Sequence, residues 1–312
     1  MKASDTAATS PTEPAPAPAP AFLDVIRHSP EGDVRARITS ETVARLALAP
    51  EITAKYCVVS ILDADGSIGV FEADQTYAFL RKENASREKD VLLVLHSPGG
   101  SIEPAYQIAK LCKAFSRERF VVAVPRFAKS AATLISVGAD AIHMGVMSHL
   151  GPIDPQLGGL PALGVVQALR TLASLAHEFP RSSEMFAAYL QRVLTVEQIG
   201  YCERISESAA QYAERLLATK ASLPAAPAAI ARELVYEYKD HGFVIDIAEA
   251  RTHLGDHWIV SDTPELALAE GLYSLFEFAN LFLSVYRQKR FVLAGDPTVP
   301  WLFERPVPRS AT

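Results

Sequence analysis

The chain has 312 residues, of which 49% are hydrophobic and 21% are charged. This composition is typical of a globular protein and excludes a chain that is disordered throughout. The 30 basic and 36 acidic residues give a net charge of −6, which argues against a nucleic-acid-binding protein with a broad basic surface. The three cysteines lack Cys-x-x-Cys spacing, so they indicate neither a disulfide framework nor a thiolate zinc site and favour a reducing, cytoplasmic location.

Both ends of the chain are rich in proline. Residues 1–21 are predicted to be a disordered tail and residues 296–312 an extended tail, on either side of a domain at 22–295. No uncharged apolar run reaches the roughly 18 residues of a transmembrane helix, and the first residues do not resemble a secretory signal. We therefore expect no integral membrane segment.

Between the tails, short β-branched runs alternate with helical patterns, which predicts an α/β fold around a largely parallel sheet. Long amphipathic helices are expected over about 163–220, and further helices over 228–239, from Ile247 and from Pro264. Asp246 and Thr263 are predicted to cap the last two helices. The predicted strands are 56–62, 91–95, 120–124, 141–144 and 257–260.

Two turns that follow strands contain candidate catalytic groups. Gly99 and Gly100 open a helix, and adjacent glycines there allow N–H groups to point at one oxyanion, although a plain tight turn has the same pattern. Ser130 lies at the next strand-to-helix corner among small residues. Its hydroxyl is suited either to act as a nucleophile or to cap the helix.

Two further segments contain a candidate carboxylate and a candidate base. Asp154 lies between two prolines, which suits either an orienting role toward an imidazole or an Asx turn. His241 is expected at the end of a helix, with Gly242 as the first residue beyond it, where the helix dipole favours a cation. His149 is an alternative base because it lies next to the Asp154 loop in the sequence.

Three segments together resemble the serine dehydrogenase proteinase family. They are His-Ser-Pro-Gly-Gly-Ser at 96–101, Ala-Lys-Ser-Ala-Ala-Thr at 128–133 and Leu-Gly-Pro-Ile-Asp-Pro-Gln at 150–156. This family is related to the Clp protease proteolytic subunit and to signal peptide peptidase A, and the resemblance extends over about residues 52–282. It implies an α/β fold that is a ClpP/crotonase-like spiral of ββα units with an added helical region.

The resemblance also implies a serine peptidase that acts on peptide or protein substrates without a metal or other cofactor. Its catalytic triad would be Ser130, Asp154 and His241 in chain order, and its oxyanion hole would be formed at Gly99 and Gly100. It further implies a homo-oligomer that assembles through helices outside the spiral, here about 163–220. Whether an adaptor or ATPase supplies the substrate stays open.

The sequence departs from this family in two respects and leaves three alternatives open. Lys129 precedes Ser130 where small or apolar residues are common, and the N-terminal membrane segment of many relatives is not seen. The first alternative is a Ser-Lys dyad hydrolase with Lys220 or Lys239 as base. The others are a non-catalytic scaffold or adaptor on the same fold, and a crotonase-type acyl-CoA enzyme that needs no nucleophilic serine.

Overall fold

The computed structural model describes residues 21–157, 160–193 and 195–305, so almost all of the predicted N-terminal tail lies outside the described residues. The helices in this part are α1 (Phe22–His28), α2 (Glu31–Ala47), α3 (Pro50–Lys55), α4 (Val70–Glu83), α5 (Ile102–Phe115), α6 (Ala131–Val137), α7 (Ala162–Glu178), α8 (Ser183–Val193), α9 (Val196–Leu217), α10 (Pro227–Arg232), α11 (Ile247–Leu254) and α12 (Pro264–Arg287). The strands are β1 (Tyr56–Leu62), β2 (Asp90–His96), β3 (Phe120–Val124), β4 (Phe127–Ala128), β5 (Ala141–Met144), β6 (His149–Leu150), β7 (Gln156–Leu157), β8 (Leu160–Pro161), β9 (Ile259–Val260), β10 (Lys289–Gly295) and β11 (Pro300–Glu304). A 3-10 turn at Pro180–Ser182 and a π-helical turn at Glu233–Glu237 complete the described elements.

The main sheet has the strand order β11-β10-β1-β2-β3-β5-β9. The strands from β1 to β9 pair in parallel, while β10 pairs antiparallel with both β1 and β11. Parallel neighbours need crossover connections, and helices such as α4, α5 and α6 supply them. The predicted α/β class with a largely parallel sheet is confirmed.

Both faces of this sheet are covered, which explains why β1, β2 and β3 are buried at every position. Leu93 and Val122 point to a core cluster that also contains residues of α5, α6 and α9. Leu92 and Val121, their neighbours in the chain, belong to a second cluster with residues of α2 and α12. This two-residue alternation is what the pleat of a strand produces.

The C-terminal end of the described chain differs from the prediction. Pro300–Glu304 forms the edge strand β11, and Arg290 in β10 pairs with Phe303. The extended backbone of this segment was expected, whereas its pairing with β10 was not. A proline is tolerated there because it lies at the first position of an edge strand, where its missing N–H breaks no central ladder.

Helix α12 lies against the second core cluster through residues such as Phe276 and Leu283. By length and composition it is apolar enough to cross a bilayer, and half of its most apolar window is buried inside the protein. A core helix of a globular protein passes the same test. The expectation that no segment spans a membrane stays a prediction.

The parallel strands position three segments at one edge of the sheet. The glycine turn follows β2, the corner with Ser130 follows β3 and β4, and the loop with Asp154 follows β5 and β6. In open α/β sheets, ligands bind outside the carboxyl ends of the strands. The candidate residues therefore meet at the edge where a site is expected.

Candidate active site

Ser130 has a strained backbone and an unused hydroxyl. Its φ of 53° and ψ of −116° lie in a region that non-glycine residues rarely adopt, as is common for residues held at functional sites. The residue is the N-cap of α6, yet its side chain makes no capping hydrogen bond. The capping interpretation of this serine therefore fails, and the half-buried hydroxyl is left for another role.

Backbone hydrogen bonds bring Ser130 next to the glycine turn. Ser97 N donates to the Phe127 carbonyl at 3.1 Å, and Lys129 N donates to the Ser97 carbonyl at 3.0 Å. Gly99 has φ +119°, and a Cβ at this position would lie 2.7 Å from Ser130 Cβ. Glycine is thus required both by the backbone conformation and by the close approach of Ser130.

The two glycines of the turn have different hydrogen bonding. The Gly99 N–H donates to Ser97 Oγ at 3.1 Å, so this group is already used within the turn, contrary to its predicted place in the oxyanion hole. Gly100 forms a parallel bridge with Ile68, in which Ile68 N donates to the Gly99 carbonyl and Ser101 N donates to the Ile68 carbonyl. In such a bridge the N–H of Gly100 itself points away from Ile68.

The N–H groups of Gly100 and Ala131 are two candidate donors to an oxyanion. Among the described hydrogen bonds, none is donated by Gly100 N or by Ala131 N. Ala131 is the first residue of α6, so its N–H is one of the free donors at a helix N-terminus. Ala131 is not among the residues that the sequence singles out, because a backbone donor leaves no signal in the side-chain pattern.

Asp154 and His241 lie together although they are far apart in the chain. Oδ2 of Asp154 is 3.7 Å from Nδ1 of His241 and accepts a hydrogen bond from Gln156 Nε2 at 3.2 Å. Oδ1 of Asp154 and Nδ1 of His241 are buried and have no hydrogen-bond partner among the described groups. A small rotation of either side chain would therefore join two groups that otherwise lack partners.

Main-chain contacts hold these two segments together. Leu150 and Ile245 exchange hydrogen bonds of 2.9 and 3.1 Å, and Ile153 N donates to the Leu234 carbonyl at 2.8 Å. His241 itself lies in a turn beyond the last helical residue, Glu237, rather than at a helix end. The prediction that Gly242 ends the helix is wrong, because Tyr238 already has an extended backbone.

Thr133 is the last residue of the Ala-Lys-Ser-Ala-Ala-Thr segment, and its side chain has a structural role. Its buried Oγ1 lies 2.7 Å from the carbonyl oxygens of both Ala128 and Gly151, and it accepts a hydrogen bond from Gly151 N at 3.1 Å. The side chain thus links the helix that begins after Ser130 to the loop that leads to Asp154. In the sequence, the only sign of this link is that Thr133 lies one helical turn after Ser130.

Ser130 and His241 line one cavity of about 690 Å³ at this edge of the sheet. Gly100, Ile153 and Gln156 also line it. Helix α9 contributes a further wall, which consists of Tyr201, Arg204, Ile205 and Ser208. The cavity is large enough for a peptide side chain and its flanking backbone, and it has both apolar and polar walls.

The three alternative bases, His149, Lys220 and Lys239, lie outside this cavity. His149 packs near the Phe127 ring, with 5.8 Å between ring centroids, and burial lowers its pKa. Lys220 donates to the Ala139 carbonyl, and Lys239 is exposed beside a different cleft. None of these three is among the residues that line the cavity with Ser130.

The part of the chain that the structure describes contains no group of three or more His, Cys, Asp or Glu side chains placed to hold a metal ion. The cysteines Cys57, Cys112 and Cys202 are free and buried. Burial raises the pKa of the Cys57 thiol to about 11, so this thiol is not reactive at neutral pH.

Residues 70–175 match the family model described as ClpP-like SDH-type serine proteinase. This confirms the resemblance to the serine dehydrogenase proteinase family. The match covers about a third of the chain, and it is this part that is similar to the ClpP-like SDH-type serine proteinases. Ser130 and Asp154 fall inside the matched residues, and His241 falls outside them.

Two curated relatives come from the archaeon Methanocaldococcus jannaschii, and both are described as uncharacterized proteins. One is 37% identical over 139 residues, which are 41% of this chain and 48% of the relative. The other is 37% identical over 76 residues, which are 24% of this chain and 26% of the relative. The match thus spans about half of the first relative and a quarter of the second.

Solved structures of two proteases are similar at low identity. A serine-to-alanine variant of a membrane-bound stomatin-specific protease has a TM-score of 0.43 and 15% identity, covering 69% of this chain and 84% of its own. A lysine-to-alanine variant of that protease, in complex with a substrate peptide, has a TM-score of 0.44 and 18% identity, covering 68% and 79%. ClpP1 from Listeria monocytogenes has a TM-score of 0.38 and 14% identity, covering 67% and 94%.

Proposed function

We propose that this chain is a serine peptidase in which Ser130 is the nucleophile, His241 is the general base and Asp154 orients the histidine. The observation that carries the proposal is the single cavity lined by Ser130 and His241, with Nδ1 of His241 3.7 Å from Asp154 Oδ2. Catalytic hydrogen bonds are often long before substrate binds. Because Nδ1 faces the carboxylate, Nε2 is the nitrogen left to accept a proton.

The reaction then follows the sequence of an acyl transfer. Ser130 Oγ attacks the carbonyl carbon of the substrate while its proton passes to Nε2 of His241, and Asp154 stabilises the imidazolium. The imidazolium gives this proton to the leaving amine as the C–N bond breaks. Water, deprotonated by His241, then hydrolyses the acyl ester and regenerates the Ser130 hydroxyl.

In this proposal, two backbone N–H groups stabilise the negative charge on the tetrahedral oxygen. These are the N–H of Gly100 and the N–H of Ala131, which have no other described partner. Donors fixed by the fold are effective because they need no reorganisation when charge develops. The proposal replaces Gly99, whose N–H donates to Ser97 Oγ, by Ala131.

Assembly and location are part of the same proposal. We place the protein in the cytoplasm and propose that it forms a homo-oligomer through the helical region at 163–220. This region exposes Phe179, Met185 and Tyr189 with relative exposures of 52, 62 and 60%, which is unusual for large apolar side chains grouped on one segment. Light scattering during size-exclusion chromatography would measure the mass in solution, and a monomer would contradict this part.

Labelling by a fluorophosphonate probe tests the nucleophile. The wild-type protein should be labelled at Ser130, and Ser130→Ala should not be labelled. The kcat of Ser130→Ala for a permissive peptide should be lower than that of the wild type by several orders of magnitude. Ser274→Ala is the matched control, because Ser274 is exposed on α12 and bonds only its own helix at the Glu270 carbonyl. This control should be labelled and active like the wild type.

Three outcomes would overturn the assignment. Hydrolysis by Ser130→Ala above a tenth of the wild-type rate would exclude Ser130 as nucleophile. Absence of any labelling in the wild type would favour a non-catalytic scaffold. Retention by immobilised coenzyme A, without labelling, would favour an acyl-CoA enzyme.

A further inference from the structure

Lys129 is the residue before Ser130, and its side chain lies between two segments that border the site. Its stem lies on Gly151, where a Cβ would be 2.9 Å from Lys129 Cγ and 3.1 Å from Lys129 Cβ. Its Nζ donates to the Gly242 carbonyl at 3.4 Å. One side chain therefore contacts the loop that leads to Asp154 and the turn that contains the proposed base.

The turn that contains His241 has local hydrogen bonds, from Gly242 N to Asp240 Oδ1 at 2.9 Å and from Phe243 N to the Asp240 carbonyl at 3.1 Å. Its longer-range hydrogen bonds lie on either side of the histidine, where the Tyr238 hydroxyl donates to Glu249 and Ile245 exchanges main-chain bonds with Leu150. Nδ1 of His241 makes no described hydrogen bond. The ammonium of Lys129 thus supplies a long-range contact directly beside the histidine.

We propose that Lys129 is a positioning residue that holds the His241 turn over Ser130. A bond from a charged donor to a carbonyl is stronger than a neutral one, and the close fit of the stem on Gly151 restricts where the ammonium can lie. The inference rests on the proposed function, because it gives His241 the role of base. Lys129 acts here through the main chain of the turn and does not exchange protons.

The loss of this contact should affect turnover more than binding. Without the ammonium, the turn keeps its local bonds and the bonds on either side of it, but the imidazole between them spends less time within reach of Ser130 Oγ. A misplacement of about 1 Å can cost about 100-fold in rate. We expect kcat of Lys129→Met to fall by about 10- to 100-fold with little change in KM.

Three variants compared with the wild type test this inference. Lys129→Met keeps an unbranched apolar stem and removes the charge. Lys129→Arg keeps a donor that can reach a carbonyl but cannot act as a base, because the guanidinium is not deprotonated in proteins. Lys82→Met removes a 73% exposed lysine at the end of α4 and controls for the loss of one positive charge.

The expected result is low kcat for Lys129→Met, a return to within a few-fold of wild type for Lys129→Arg, and wild-type kinetics for Lys82→Met. Equal inactivity of the Met and Arg variants, with unchanged thermal midpoints, would mean that Lys129 is itself a base and would overturn the inference. Unchanged kcat in Lys129→Met, or a rise in KM alone, would also overturn it. In either case loss of activity in Ser130→Ala keeps the proposed function intact, whereas an active Ser130→Ala would remove the proposed function first.

Discussion

Two pairs of a histidine with a carboxylate in the described part of the chain have similar separations. His241 Nδ1 lies 3.7 Å from Asp154 Oδ2, and His143 Nδ1 lies 3.9 Å from Glu265 Oε2. Distance alone therefore does not distinguish a candidate catalytic pair from a structural one. The surroundings of the two pairs distinguish them.

The pair of His143 and Glu265 is tied into the protein by further side chains. Thr263 Oγ1 lies 2.8 Å from His143 Nδ1, and the Tyr56 hydroxyl donates to Glu265 Oε1 at 2.9 Å. Burial lowers the pKa of His143 below its usual value, although Glu265 opposes this effect, so the imidazole stays neutral at physiological pH.

The pair of His241 and Asp154 instead borders the cavity that contains a serine with an unused hydroxyl. Two of its polar atoms lack partners in the described structure, whereas one atom of the other pair, Nε2 of His143, does so. The comparison teaches that a histidine–carboxylate pair indicates catalysis only where a nucleophile and an open cavity accompany it.

Substitution of the two histidines should give opposite results. His241→Gln should lower kcat/KM by about three orders of magnitude or more, because it removes the proposed base. His143→Gln should keep kcat/KM and lose stability, because it disturbs a buried cluster. Steady-state kinetics from about pH 5 to 9 and thermal unfolding measure both effects.

His149→Gln completes this set, because His149 is the alternative base. We expect His149→Gln to keep most of the activity, since His149 lies outside the cavity. If His149→Gln lost the activity while His241→Gln kept it, the roles of the two residues would be reversed. If both kept it, a lysine base would become the leading interpretation.

A pair of glycines offers a second comparison, with a smaller expected effect. A Cβ at Gly100 would lie 2.3 Å from the Ile68 carbonyl oxygen, and a Cβ at Gly295 would lie 2.4 Å from the Gln75 carbonyl oxygen. Both positions have positive φ, so alanine strains the backbone at each of them. Both variants should therefore unfold at lower temperature.

Only Gly100→Ala should also slow the reaction, because it displaces a proposed oxyanion donor. A fall in kcat of about 100-fold or more is expected, with a much smaller change in KM, since the donor acts on charge that exists only in the transition state. Gly295→Ala, in β10, should keep kcat at temperatures where it is folded. Weaker binding with unchanged kcat in Gly100→Ala would instead make this turn a substrate-binding edge.

The parallel part of the sheet could be predicted from the sequence because its strands are continuous apolar runs. The predicted bounds of β1, β3 and β5 agree with the structure, and β2 extends one residue further at each end. The edge strands β10 and β11 were missed. β10 begins with Lys289 and Arg290, β11 begins with a proline, and their pairing with β1 depends on contacts between distant parts of the chain.

The candidate site was predictable in part. The position of Ser130 after a strand follows from the local pattern, and the side chains of Asp246 and Thr263 accept from the first turns of α11 and α12 as their spacing predicts. The approach of His241 to Asp154 depends on main-chain bonds such as those between Leu150 and Ile245, which no local pattern indicates. The catalytic roles of these residues stay predictions until the variants are measured.

Substitution of Lys220 should have the smallest effect on activity, and its expected effect is on stability. Its Nζ contacts the Ala139 carbonyl and lies 3.9 Å from the centroid of the Trp258 ring, away from the cavity with Ser130. Burial lowers its pKa to about 7 from the usual 10.5, and Asp140 opposes this effect. Between these two pH values the unfolded chain holds one more proton than the folded chain at this lysine, so the free energy of unfolding rises with pH across this window.

Lys220→Met removes this dependence, because methionine has a similar stem and no charge. The variant should gain stability relative to the wild type near neutral pH, and the difference should shrink as the pH approaches about 10, with about 2–4 °C in thermal midpoint for each kcal/mol. Lys110→Met, at an exposed position of α5, should follow the wild type at every pH. Parallel wild-type and Lys220→Met curves would show that this lysine keeps its charge in the folded protein through its contacts with Ala139 and Trp258.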